Sequence, residues 1–281
     1  MMITTRKILG SLVPAIAIAL SGSAFAGPYI LAGTDADDHG FASGVANFDG
    51  WRFMQRAIEN IAPGVTNGKK VVYAVGSDVG SQAGNAALSA FNLSNLSGLG
   101  GWTFQSVNTA ASITAFFGVG GGAANAGIIM FDSGSNVGGG LDGSEEAALA
   151  SNSSGINAFL GNGGGLFSQA NNYAWLSAIL PGVTVVGSSN SGITLTAAGM
   201  ADFPGLTNAD LSSGPYHATF TGYGAIPVLG VGTNDGGKAV IVGANGGTIT
   251  APKAVPEPGS LALLALGVVG LFASYRRKQA K

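Results

Sequence analysis

The chain has 281 residues with 48 glycines and no cysteine; 46% of its residues are apolar and only 9% are charged. The absence of cysteine excludes disulfides, thiol nucleophiles and thiolate metal ligands, and apolar residues grouped in discrete blocks exclude a disordered low-complexity chain despite the glycine content. Between residues 27 and 254, six scattered basic residues (Arg52, Arg56, Lys69, Lys70, Lys238, Lys253) stand against thirteen acidic ones, which excludes nucleic acid and anionic lipid headgroups as partners of that region.

In chain order, Arg6 and Lys7 precede an apolar run from Ile8 to Leu20, and Ala24-Phe25-Ala26 supplies the small residues that signal peptidase requires. Residues 1–26 therefore read as a signal peptide cut before Gly27. Tyr29-Ile30-Leu31-Ala32 is a short continuous apolar run that opens onto a polar loop. Trp51, Met54, Ile58 and Ile61 then recur at helical spacing behind an N-cap candidate, Asp49. This strand-then-helix pattern returns as Lys70–Val75 with Ala83–Phe91, and as Trp102–Val107 with Ala110–Phe117. Ala126–Phe131 reads as a fourth strand. A long helical segment follows, with Asp142 and Glu145 in capping-box spacing and Gly161 and Gly163 at its end. Gly165-Leu166-Phe167 predicts a fifth strand, leading into a helix around Tyr173, Leu176 and Leu180 that Pro181-Gly182 stops. Beyond Val183 the helical period fades, and Ile226–Val231 and Lys238–Val242 flank the hairpin turn Asn234-Asp235-Gly236-Gly237.

Continuous apolar strands alternating with helices imply a parallel sheet covered on both faces. The expected fold is α/β, a three-layer sandwich with a mostly parallel sheet of Rossmann or flavodoxin type and antiparallel edge strands near its carboxyl-terminal end. One such body would occupy residues 27–250. A linker with the Pro-Glu-Pro motif (251–258), a transmembrane segment (259–275) and a basic cytoplasmic tail (276–281) would follow. From Pro258 to Tyr275 there are 18 uncharged residues, about 27 Å as a helix at roughly 1.5 Å per residue, against a hydrocarbon core of about 30 Å. Arg276, Arg277 and Lys278 would remain cytoplasmic, leaving the body outside.

The densest polar cluster, Asp35-Ala36-Asp37-Asp38-His39-Gly40, follows the first strand, where loops of open α/β sheets line the ligand crevice. Asp35, Asp37, Asp38 and His39 are candidates to hold a divalent cation, the alternative being Asp side chains that cap turns and the following helix. The EF-hand pattern breaks at His39 and at Ala46. Ser168 and His217 form a candidate nucleophile and base, although the flanking glycines of a nucleophile elbow are replaced by Leu166 and Ala170. The glycine runs 118–122 and 138–140 lack the Gly-Lys-Ser/Thr of a phosphate loop and read as flexible loops. Trp51, Trp102 and Trp175 would stack on sugars or, as their amphipathic setting favours, pack in the core.

Val255-Pro256-Glu257-Pro258, the apolar run and the Arg276-Arg277-Lys278 terminus together resemble the PEP-CTERM signal of Gram-negative bacteria. The resemblance implies threading into the inner membrane, cleavage by an exosortase, and release to the cell surface or extracellular matrix, in a setting of biofilm and exopolysaccharide. The order of elements over roughly residues 28–250, with Phe159–Phe167 as its clearest piece, resembles the class I glutamine amidotransferase-like fold, including relatives of trehalose-utilisation proteins. Those enzymes place Cys at the turn and a carboxylate two residues after the catalytic His; here the thiol is absent and Thr219 follows His217 at that spacing. Glutamine-dependent amidotransfer is thereby excluded. Two readings follow: a non-catalytic exported surface or matrix protein, and an envelope hydrolase of a sugar or amide that uses Asp38, His39, His217 and Ser168.

Overall fold

The computed structural model describes residues 27–134, 138–169, 172–212 and 214–244. The expected signal peptide with Ala24 and Ala26, the motif Val255–Pro258, the apolar run 259–275 and the basic tail with Arg276 and Arg277 lie outside the described residues. Among those described, no helix is long and apolar enough to cross a membrane.

The alternation of apolar blocks becomes strands β1 (Tyr29–Ala32), β4 (Val71–Val75), β5 (Thr103–Val107), β6 (Ile128–Phe131) and β7 (Gly165–Ser168). All five are parallel, in the spatial order β5-β4-β6-β7-β1. Successive side chains of a strand point to opposite faces, and two cores follow directly from that. Tyr29, Leu31, Val75, Ile129, Phe131 and Leu166 pack on one face with residues of α3 (Ala110–Phe117), α4 (Gly143–Ser151) and α5 (Ser153–Gly161). Ile30, Ala32, Val72, Met130 and Phe167 pack on the other with α1 (Gly50–Ile61) and α2 (Gln82–Asn92). The result is the expected α/β sandwich.

The strand order departs from the doubly wound orders, because the first strand lies beyond the last parallel strand and not beside the second. The antiparallel strands are also more than an edge. β12 (Ala239–Ala244) pairs with β1, and the path continues through β10 (Pro215–Thr221) to β8 (Thr184–Ser191), while β11 (Val228–Gly232) joins β12 to β9 (Ile193–Leu195). The hairpin predicted around Asn234–Gly237 is β11–β12, with Gly236 and Gly237 at positive φ. β12 covers the flank of β1 that would otherwise expose unpaired backbone.

Local chemistry explains the remaining departures. The long helix predicted behind Asp142 breaks into α4 and α5 at Asn152, whose side chain donates back to the Ala148 carbonyl at 2.8 Å and so competes with the helical ladder. The helix expected around Tyr173–Leu180 reduces to one 3-10 turn, Leu176–Ala178. Tyr173, Trp175, Leu176, Ile179 and Leu180 are nonetheless all buried there. Asp49 does not cap α1 with its side chain and has φ +53, because it ends a hairpin that the sequence concealed in the polar loop, β2 (Gly40–Ser43) with β3 (Ala46–Asp49). The last helix, α6 (Ala197–Asp202), is capped by the Thr196 hydroxyl, which accepts from Gly199 N.

Candidate functional site at the carboxyl edge of the sheet

Parallel strands deliver their carboxyl ends to one edge, and here each is followed by polar residues: Thr34 to His39 after β1, Ser77 after β4, Asp132 and Ser133 after β6, and Gln169 after Ser168 at the end of β7. β4, β6, β7 and β1 are adjacent, so these groups form a continuous polar strip, split into a buried inner set and an outer set in which half-buried groups surround one buried carboxylate.

The inner set is a carboxyl pair. Asp37 accepts from Ser133 Oγ at 2.7 Å, from Ser133 N at 3.3 Å and from Asp38 N at 3.1 Å. Asp132 accepts from the Ser77 hydroxyl on Oδ2, while its Oδ1 makes no hydrogen bond among the described residues. Gln169 favours the charged form of Asp132, although neither atom of its side-chain amide makes a hydrogen bond of normal geometry among the described residues. Burial, opposed by the Ser133 hydrogen bonds and aided by the charge of Asp35, pushes the Asp37 carboxyl up to about 6. Burial and then the charge on Asp37 push Asp132 well above the usual carboxylate range. Like charges in a buried site cannot both ionise cheaply, so the pair retains a proton into the neutral range.

The outer set centres on Asp35, which is 1% exposed. His217 Nε2 lies 3.0 Å and His39 Nε2 3.3 Å from the same oxygen, Asp35 Oδ2, and His39 Nε2 is 3.6 Å from Asp38 Oδ2. Asp38 is held by Gln82, whose Nε2 donates to its Oδ1 and to its carbonyl, each at 2.9 Å. Asp35, Asp38 and His39 can each present one ligand atom within 4.8 Å of the others.

Backbone irregularity brings the second histidine in from a strand more than 180 residues later. The pairing of β10 with β8 slips between Tyr216 and Ala218, and His217 sits in that irregularity, the kind of feature that re-aims a side chain. Gly33 O accepts from both His217 N at 2.7 Å and Ala218 N at 3.2 Å. A Cβ on Gly33 would stand 1.8 Å from the Ala218 carbonyl oxygen, so only glycine allows this approach.

The predicted residues thus divide. Asp35, Asp38, His39 and His217 come together. Asp37 turns inward to Ser133. Ser168 is the last residue of β7, is fully buried, and its carbonyl accepts from the Tyr173 hydroxyl at 3.1 Å. Trp175 is core at 1% exposure, and Trp51 donates its indole N–H to the Asp37 carbonyl at 2.9 Å. Sequence reasoning missed Ser77, Asp132 and Ser133. Their signal was positional, since each is among the first polar residues after a continuous apolar strand.

No curated protein and no solved structure matches the chain, so the amidotransferase-like reading of the body rests on its layered α/β architecture alone. Residues 254–278 match the PEP-CTERM protein-sorting motif. This motif marks the chain as an exported, cell-surface-directed substrate of an exosortase.

Proposed function

We propose that the chain is a non-catalytic cell-surface or extracellular-matrix protein, made with a signal peptide over residues 1–26, held in the inner membrane by residues 259–275, and cut by exosortase near the Pro-Glu-Pro motif. Its body is an amidotransferase-like scaffold without the thiol, serving in a biofilm and exopolysaccharide setting. The sorting motif behind a folded body carries this reading. The burial of Ser168 supports the non-catalytic half, because a nucleophile with no exposed surface does not meet a substrate from solvent. Fractionating cells that express the chain, with and without its genuine exosortase, tests it: the body should leave the membrane fraction only when exosortase is present. Retention of the intact chain in the cytosol in both cases would refute it.

A second reading, an envelope hydrolase of sugars or amides, is favoured by one observation: two imidazoles converge on the buried carboxylate Asp35 at the crevice edge. Turnover of chromogenic glycosides and amides that disappears in His217→Ala would establish this reading. Inertness of the folded protein toward the whole panel would remove it.

A further inference from the structure

We propose that Asp35, Asp38 and His39 bind one divalent transition-metal ion of the zinc class, a property independent of how the chain is sorted. The separations between donor atoms carry the argument first. Ligand atoms about 2.0–2.2 Å from a tetrahedral ion stand about 3.3–3.6 Å from one another; His39 Nε2 is 3.3 Å from Asp35 Oδ2 and 3.6 Å from Asp38 Oδ2.

A second observation is independent of the charged cluster. A cavity of about 20 Å³, lined by Thr34, Asp35, His39 and Asp210 among others, adjoins two of these donors, Asp35 and His39. That is room for one water or one ion. Thr34 is 4% exposed, and its hydroxyl makes no hydrogen bond among the described residues. A buried hydroxyl without a partner is unfavourable, and a metal-bound water in the cavity would supply one while filling the fourth coordination position.

The donor chemistry selects the metal. An imidazole with two carboxylates suits zinc and its neighbours, whereas calcium asks for six to eight oxygens. The surroundings fix the donors in place. His217 holds Asp35 at 3.0 Å, Gln82 holds Asp38, and the His39 ring lies against Gly214, where a Cβ would stand 2.2 Å from Cδ2. Such outer partners orient the ligands without binding the ion.

The test is titration calorimetry of the purified, chelator-stripped full chain with zinc chloride, beside calcium chloride. One equivalent of zinc should bind and raise the melting temperature in a chelator-reversible way, with no response to calcium. His39→Ala and Asp38→Asn should each weaken zinc binding by more than about 100-fold, and His217→Ala by about 10- to 100-fold. Circular dichroism checks the fold of each variant, and the half-exposed Asp38 gives a second variant should His39→Ala unfold. The visible bands of a cobalt(II)-loaded sample provide a signature of tetrahedral geometry. Absence of zinc binding, a preference for calcium, or equal affinity in folded Asp38→Asn would overturn the assignment.

Discussion

The Asp37–Asp132 pair makes stability depend on pH with a defined sign. A carboxyl that moves from 3.8 to about 6 on folding holds its proton more tightly in the native state. Its contribution is complete well below pH 3.8, where both states are protonated, and declines as the unfolded carboxyl ionises first. By the time the pH has passed 6 the folded state has lost about 3 kcal/mol, at 1.36 kcal/mol per pH unit for one proton. Asp132, held higher by burial and by the charge on Asp37, extends the decline further upward. Asp142 and Asp235, lowered first by the Ser144 hydroxyl and by Lys238 respectively, act in the opposite sense, contributing above their ordinary values and losing that contribution as pH falls. They are common to both proteins in a comparison of wild type with Asp132→Asn. Urea unfolding from pH 5 to 8.5, with chelator present, should show wild-type stability falling and the variant gaining on it by up to about 1.4 kcal/mol per pH unit. Parallel curves for the two proteins would refute the shared-proton account.

Phe167→Ala removes a fully buried ring set edge-on to Phe53 at 5.6 Å between sheet and α1, and should cost about 3–5 kcal/mol in urea unfolding; a cost below about 1 kcal/mol would show that this face is not the tightly packed core described. At Gly27, a Cβ would stand 1.8 Å from the Gly164 carbonyl oxygen. Gly27→Ala should therefore destabilise the body by about 1–3 kcal/mol while still being processed, as alanine is small; an unchanged melting temperature would mean that the packed body does not begin at this residue.

The parallel half of the fold was legible because its strands are continuous apolar blocks and its helices carry apolar residues at 3.6-residue spacing. Even the capping box of Asp142 and Glu145 forms in both directions. Strand order was not legible, since β1 takes its neighbours from residues 166–168 and 241–244, and nothing local encodes that pairing. β8 escaped notice because Thr184–Ser191 has glycine, serine and asparagine where an apolar run would announce a strand, and much of it is exposed. The cluster after β1 was visible as a dense polar motif, but its division was not. That Asp35 meets two histidines while Asp37 turns to Ser133 depends on a hairpin, a slipped register at His217 and the close approach allowed by Gly33.

The sorting claim is tested most directly by intact-mass spectrometry of the protein recovered from the surface and medium of cells that carry a functional exosortase. The mass should correspond to a chain that starts at Gly27 and lacks the apolar run and the basic residues Arg276, Arg277 and Lys278. Recovery of the full 281-residue chain from the cytosol, with Met1 and Lys281 both present, would contradict it.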